Sequence, residues 1–495
     1  MQSESSLSFK NVVLYIVVLL VFGAGIWFIL SLGSRINRVR PVVEAVESQA
    51  DNTSPSESNK PEPTKTYLER VLTQNLRGSL SILLLQILII IIAARVTGKL
   101  FLKIGQPPVM GEMVAGILLG PSVLGQLSHQ TMTFLFPSSS MGTLQLLSQL
   151  GVILFMFVVG MELNGQHLRE RAHAAVMVSH GSIVIPFFLG TALSLVIYRP
   201  LASANTPFIA FALFMGIAMS ITAFPVLARI IEERGMTKSY LGSTAIACAA
   251  VDDVTAWCML AVVIAIVQAN GIAASVVTIA LVLLFIAAML FLFKPRISRI
   301  VSESVDKETR STGLVAGIVA FVLACAWFTE IIGIHALFGA FMAGVVMPSA
   351  SSFRSFLRAK LETFSSSCLL PLFFAFTGLR TQINLLNDWN GWVLCLVVVA
   401  VAIAGKLGGS MLMARWTGMS WHDSFAIGVL MNTRGLMELV VLNIGYDLGI
   451  LPARIFAIMV LMALATTSMA GPLLSWVKFR KRVESELPDR VASAG

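Results

Sequence analysis

The sequence predicts an all-α polytopic membrane protein with about thirteen core transmembrane helices and one extra apolar span at the N-terminus. Three observations carry this. Of 495 residues, 56% are hydrophobic and 12% charged, about half the charge of a soluble domain. The apolar runs are about 20 residues long without strand-like alternation, and a bilayer admits only helices or closed barrels. The basic residues gather in alternate short loops, as cytoplasmic loops require.

The first apolar span covers 12–32, flanked by Lys10 and by Arg35, Arg38 and Arg40. It is long for a signal peptide and lacks an Ala-x-Ala site, which favours an anchor. Residues 1–35 are therefore assigned to an N-terminal anchor or signal. Residues 36–74, rich in Ser, Pro, Glu and Asn, have the composition of a disordered linker. The core domain is assigned to 75–478 and a short tail to 479–495, which leaves no room for a soluble nucleotide-sensing domain.

The expected core spans are 78–96, 108–126, 143–163, 174–197, 208–230, 240–268, 271–293, 311–331, 333–348, 364–382, 391–414, 423–446 and 453–477. With the first starting outside, the inner segments hold twenty-two Lys and Arg and the outer segments beyond the first core span three, Arg199, Arg380 and Arg454. The C-terminus is thus expected in the cytoplasm. The extra N-terminal span then starts inside, and its trailing arginines fit that orientation poorly.

The net charge of +9 resides in these loops, so it implies no nucleic-acid partner; the partner is the lipid bilayer. The five cysteines, Cys248, Cys258, Cys325, Cys368 and Cys395, fall in apolar segments and read as small core residues. No transition-metal spacing and no phosphate-cradling glycine motif occurs, so no cofactor and no ATP-driven transport are expected.

Polar interruptions in spans five and twelve permit two inverted repeats, spans one to six and eight to thirteen. Transporters built this way place the substrate where helices break. Span five contains Ser220, Thr222 and Pro225; the proline lacks a backbone donor and clashes with the preceding turn. Span twelve contains Asn432, Thr433, Arg434, Gly435 and Glu438 within seven residues. Arg434 and Glu438 stand four apart and can pair on one face, a structural role that closes the break. A proline kink packed against a neighbour is the plainer reading of span five alone.

Asp252 and Asp253 stand together in the middle of span six, and Lys406 lies deep in span eleven. A charge at the bilayer centre costs several kcal/mol unless it lines a wet cavity or finds a partner. Snorkelling covers only the last couple of turns of a helix, so a lysine reaching the inner interface is the lesser reading of Lys406, beside a buried lysine that titrates with a nearby carboxylate. Adjacent helical residues diverge by about 100°, so one aspartate can pair with Lys406 while the other faces a cavity. A carboxylate there can hold a proton or a hard monovalent cation, and exclusive occupancy is exchange. Glu162 reads as a cap at the inner end of span three, Glu112 as an interfacial residue, and Glu330 and Asp447 as outer-end residues.

Several stretches together resemble the monovalent cation:proton antiporter family 2, the branch that holds plant cation/H⁺ exchangers, two-aspartate Na⁺/H⁺ antiporters and glutathione-gated potassium efflux systems. They are GEMVAGILLGPSVLG at 111–125, LGVILFMFVVGMEL at 150–163, SITAFPVLAR at 220–229, the Asp252–Asp253 segment, PLFFAFTG at 371–378 and NTRGLMEL at 432–439. The resemblance implies a homodimeric bacterial inner-membrane carrier in which the broken spans five and twelve cross beside the aspartates. It implies exchange of Na⁺ or K⁺ for H⁺, with Asp253 as the essential carrier. Asp252 would be the second carboxylate, paired with Lys406, and Thr222 would shape the site. Many plant exchangers have Asn at the first aspartate position; Asp252 instead resembles the electrogenic antiporters. The rival readings are a channel-like potassium efflux protein, an intramembrane aspartyl protease and a sensor that has lost transport. Two adjacent aspartates cannot face each other across a water as protease chemistry needs, so no enzyme is expected.

Overall fold

The computed structural model describes residues 9–36, 75, 78–162, 172–203, 206–236, 239–268, 272–305, 312–348 and 351–492. Among them there is no β-strand. The predicted linker lies outside the described residues over 37–74. The first helices are α1 Phe9–Ile36, α2 Ser79–Lys103, α3 Pro108–Leu119, α4 Ser138–Glu162 and α5 Ala172–Leu201. They are followed by α6 Phe208–Ser220, α7 Phe224–Glu233, α8 Tyr240–Gln268, α9 Ile272–Ala287, α10 Thr312–Ile332 and α11 Ala336–Val345. The last are α12 Ser351–Phe364, α13 Leu370–Arg380, α14 Trp389–Ile403, α15 Gly409–Trp416, α16 Trp421–Met431, α17 Leu436–Asp447 and α18 Ala453–Ala492.

Twelve described helical segments, α1 among them, are long and apolar enough to span a bilayer; α6–α7 and α14–α15 each count as one. The pair α16–α17 makes a further span bent by 44°. The ninth expected core span differs most from its prediction: α11 has ten residues, about 15 Å of helix. Glycine at 333 and a positive φ of 105° at His335 turn the chain into it.

The core helices pack in two groups. One holds α2, α3, α4, α10, α11 and α13; the other holds α5 to α8 and α14 to α18. Contacts between the groups are sparse, which lets each act as a unit. The first group is locked by a glycine clasp that occurs twice. Gly116 of α3 lies against the Ala375 carbonyl of α13, and Gly378 of α13 against the Met113 carbonyl of α3. In the same register, Gly344 of α11 lies against the Phe157 carbonyl of α4, and Gly160 of α4 against the Phe341 carbonyl of α11. Backbones approach this closely only where no Cβ intervenes. The match makes α3 and α11, and α4 and α13, equivalent pairs, as two inverted repeats require.

In the second group α6 is apolar on every side and buried at every position but Ile209, the environment such a helix needs. Helix α1 packs on α5 and α6. Phe22 meets Phe188 edge-on at 5.3 Å, Gly25 lies under the Phe188 ring, and Gly33 under the Phe208 ring. Of the cysteines read as core residues, Cys258 is exposed on the helix surface.

Because a Cβ at Gly116 or Gly344 would collide with backbone, Gly116→Leu and Gly344→Leu are each expected to destabilise the protein by at least 1–3 kcal/mol. Thermal unfolding in detergent, followed by size-exclusion recovery, checks this, with Gly142→Leu, which meets nothing within 4 Å, as the control.

Candidate functional site

Two chain breaks meet inside the second group. Helix α6 stops at Ser220 because Ile221 turns extended, at φ −75° and ψ 136°, and Pro225 is accommodated in the first turn of α7, where no backbone donor is needed. Helix α16 stops at Met431, and the chain passes through Asn432, Thr433, Arg434 and Gly435 before α17 begins. The breaks are joined directly. The Ala223 amide donates to the Thr433 carbonyl at 3.0 Å, and the Thr222 hydroxyl oxygen lies 3.1 Å from the Met431 carbonyl.

A helix end in a membrane leaves carbonyls without partners. Here two cations take them, where the helix dipole also favours positive charge. Arg434 Nη1 and Nη2 donate to the Ala218 and Met219 carbonyls at 2.9 and 2.8 Å. Lys406 Nζ donates to the Ser220 carbonyl. The same ammonium reaches the Ser182 carbonyl at 3.0 Å and Asp252 Oδ2 at 2.8 Å. Lys406 sits in a π-helical turn, Ala404–Gly408, a distortion that recurs at functional positions.

Asp252 is saturated. Besides Lys406 it accepts from the hydroxyls of Ser179 at 2.8 Å, Ser182 at 3.1 Å and Thr222. Asp253 is the opposite: fully buried, with neither carboxylate oxygen hydrogen-bonded among the described residues. Trp257, four residues on and on the same helix face, stacks on Phe341 of α11 at 5.9 Å. Asp253 therefore lies on the side of α8 turned to the other group. The expectation that one aspartate faces a cavity is not met in this conformation, because Asp253 is sealed within protein.

The other expected residues divide. Arg434 and Glu438 form an ion pair at 3.3 Å, both buried, and Thr467 buttresses the break by accepting from the Arg434 amide and donating to its carbonyl. The Ser220 and Thr433 hydroxyls turn back to their own chain, to the Gly216 and Leu430 carbonyls. The Asn432 side-chain oxygen is buried without a partner. Ser179 and Ser182 escaped the sequence reading; hydroxyls three apart in an apolar helix are the signal that marks them. The side chain of Glu162 lies outside the described residues.

A cavity of about 840 Å³ opens between the two groups. Its exposed rim includes Arg95, Lys99, Arg229 and Arg358, on the side that the charge asymmetry assigns to the cytoplasm. Its deep wall includes Pro225, Val226 and Leu436, which flank the breaks. The opposite side is closed by Arg380 of α13. Its guanidinium bonds Asp447 and Asn443 of α17 at 2.7 and 3.2 Å, and Gln145 of α4 at 2.9 Å. Gln145 in turn donates to Asp447 at 2.9 Å.

The transmembrane sodium/hydrogen exchanger profile matches residues 87–480; the chain belongs to that family. The Na⁺/H⁺ antiporter NhaS4 of Synechocystis is 43% identical over 398 residues, 80% of this chain and 97% of that protein. Cation/H⁺ antiporter 17 of Arabidopsis thaliana is 39% identical over 405 residues, and K⁺/H⁺ antiporter 1 of Saccharomyces cerevisiae 32% over 413. These alignments take in 81% of this chain but 48% and 46% of the two relatives, so the chain spans about half of their length. The fold is that of the sodium proton antiporter MjNhaP1 from Methanocaldococcus jannaschii, with a TM-score of 0.61 at 14% identity over 81% of this chain and 98% of that one.

Removing one partner of a buried ion pair strands the other and typically costs 3–5 kcal/mol, whereas removing both is far milder. Lys406→Met is therefore expected to lower thermal stability sharply. Adding Asp252→Asn should recover much of the loss, which a double-mutant cycle of unfolding midpoints measures.

Proposed function

We propose that the chain is a secondary active antiporter that exchanges Na⁺ or K⁺ for H⁺ by alternating access, with Asp253 as the carrier. The observation that carries this reading is the charge balance at the crossing. Lys406 and Arg434 are matched by Asp252 and Glu438, all four buried. Asp253 is a third carboxylate with no cation of its own. One positive charge, either a proton or a monovalent cation, neutralises it, and the two compete for the same oxygens. Binding a cation to the carboxylate releases the proton; binding a proton expels the cation.

The two-group architecture supports the movement. The glycine-clasped group is a fixed panel, and the group holding the crossing carries the ion. The cavity on the inner side and the closed Arg380 cluster on the outer side support an inward-open conformation. Sliding of the carrier would break Arg380 from Asp447 and close the inner cavity. We place the protein in a bacterial inner membrane as a homodimer with its C-terminus in the cytoplasm.

In proteoliposomes carrying an internal pH dye, pulses of NaCl or KCl are expected to move protons with wild type and not with Asp253→Ala. Antiport that survives Asp253→Ala would refute the assignment, and cation flux uncoupled from protons would favour the efflux-channel reading. Arg380→Gln removes a charge-assisted cluster worth about 1–2 kcal/mol. It should shift the population outward by about tenfold. The check is labelling of Ser148→Cys, which lines the outer pocket, by a membrane-impermeant maleimide in a cysteine-free background; labelling should quicken several-fold.

A further inference from the structure

Glu112 has no place in the chemistry above. The sequence reading put it at the membrane interface; the structure puts it on the wall of the inner cavity, 8% exposed. No hydrogen bond or ion pair engages its carboxylate among the described residues. Its backbone is rigidly placed, because the preceding Gly111 lies against the Thr97 carbonyl of α2. A buried carboxylate without a direct partner costs free energy that the fields of Arg95 and Arg229 offset here without contact, and such an arrangement is retained where the group meets a ligand.

The surroundings narrow that ligand. The basic residues of the cavity sit at its mouth, where Arg95 is engaged with the Ser367 carbonyl at 2.7 Å and Arg358 with Glu362. Phe155, Val158, Val159 and Phe374 line the same cavity, and the two basic groups whose fields reach Glu112 are Arg95 and Arg229. Glu232 and Glu362 also line the cavity, Glu362 paired with Arg358; low-dielectric walls around the buried Glu112 concentrate its field on a passing cation. The same cavity reaches Pro225 and Leu436, the openings of the second halves of both broken helices. Glu112 and the crossing thus share one space.

The repeat adds a direction. Gly111 and Gly116 of α3 stand in the register of Gly339 and Gly344 of α11, and both helices begin three residues before the first glycine of the pair. The position equivalent to Glu112 is then Ala340, which is buried and apolar. The acid exists only in the inner half of the symmetry.

We infer that Glu112 is a second cation-binding site, an inner station that takes Na⁺ or K⁺ between the cytoplasmic mouth and the crossing and that has no outer counterpart. The inference rests on the antiport reading. Its test is the sidedness of transport. Initial antiport rates are measured in inside-out and right-side-out vesicles, with NaCl or KCl varied on one face at a time. Glu112→Gln is expected to raise the half-saturating cation concentration at the inner face at least fivefold and to leave the outer-face value within twofold. Glu112→Asp, which keeps the charge and guards against loss of the Gln variant, is expected to fall between the two at the inner face.

An unchanged inner-face value, or an equal shift on both faces, would overturn the inference, since a merely structural role acts on both. Either result leaves antiport at Asp253 standing, whereas activity in Asp253→Ala removes the antiport reading whatever Glu112 does.

Discussion

One ammonium group ties the site together. Lys406 Nζ joins the π-turn between α14 and α15 to a carbonyl of α5, the last carbonyl of α6 and a carboxylate of α8. Helix α6 must end inside the membrane for the two breaks to cross, and an ending there exposes carbonyls that lipid cannot satisfy. Two buried cations meet that demand, and two carboxylates are needed to hold the cations. Once Asp252 is saturated by Lys406, Ser179, Ser182 and Thr222, Asp253 is the carboxylate at the crossing with neither a hydrogen bond nor an ion pair among the described residues. Its vacancy of partners follows from the solution to a backbone problem one residue away.

The scaffold is suited to the proposed movement. Glycines at four matched positions bring α3, α4, α11 and α13 to backbone contact, and interiors packed that tightly transmit force rather than deform. The group holding the crossing meets this panel at, among other places, the Trp257–Phe341 stack and the Arg380 cluster on the side away from the cavity. A sparse interface between two stiff bodies favours sliding over local distortion.

Much of this was legible because charge is so costly in an apolar run. Asp252, Asp253, Lys406 and the Asn432–Glu438 interruption stand out in the sequence for that reason alone, and the repeat follows from pairing the two interruptions. Other features depend on rotation about helix axes that spacing does not determine. Which aspartate meets Lys406 is one. That Arg434 reaches back to two carbonyls of α6, beyond its neighbour Glu438, is another. Glu112 reads as interfacial because it lies near the start of its span; the packing of α3 in the fold places it on the cavity wall. Ser179 and Ser182 are marked only by their spacing of three in an apolar helix, and Arg380 and Asp447 are 67 residues apart, joined only by the fold.

The claim on which everything turns is that one positive charge at Asp253 is either a proton or a cation. The most direct measurement is the number of protons released per cation bound, read with a pH dye as NaCl or KCl is titrated into purified protein in weakly buffered detergent. The account predicts close to one proton per cation at a pH where Asp253 is protonated, and none from Asp253→Asn. Cation binding without proton release, or release that persists in Asp253→Asn, would contradict it.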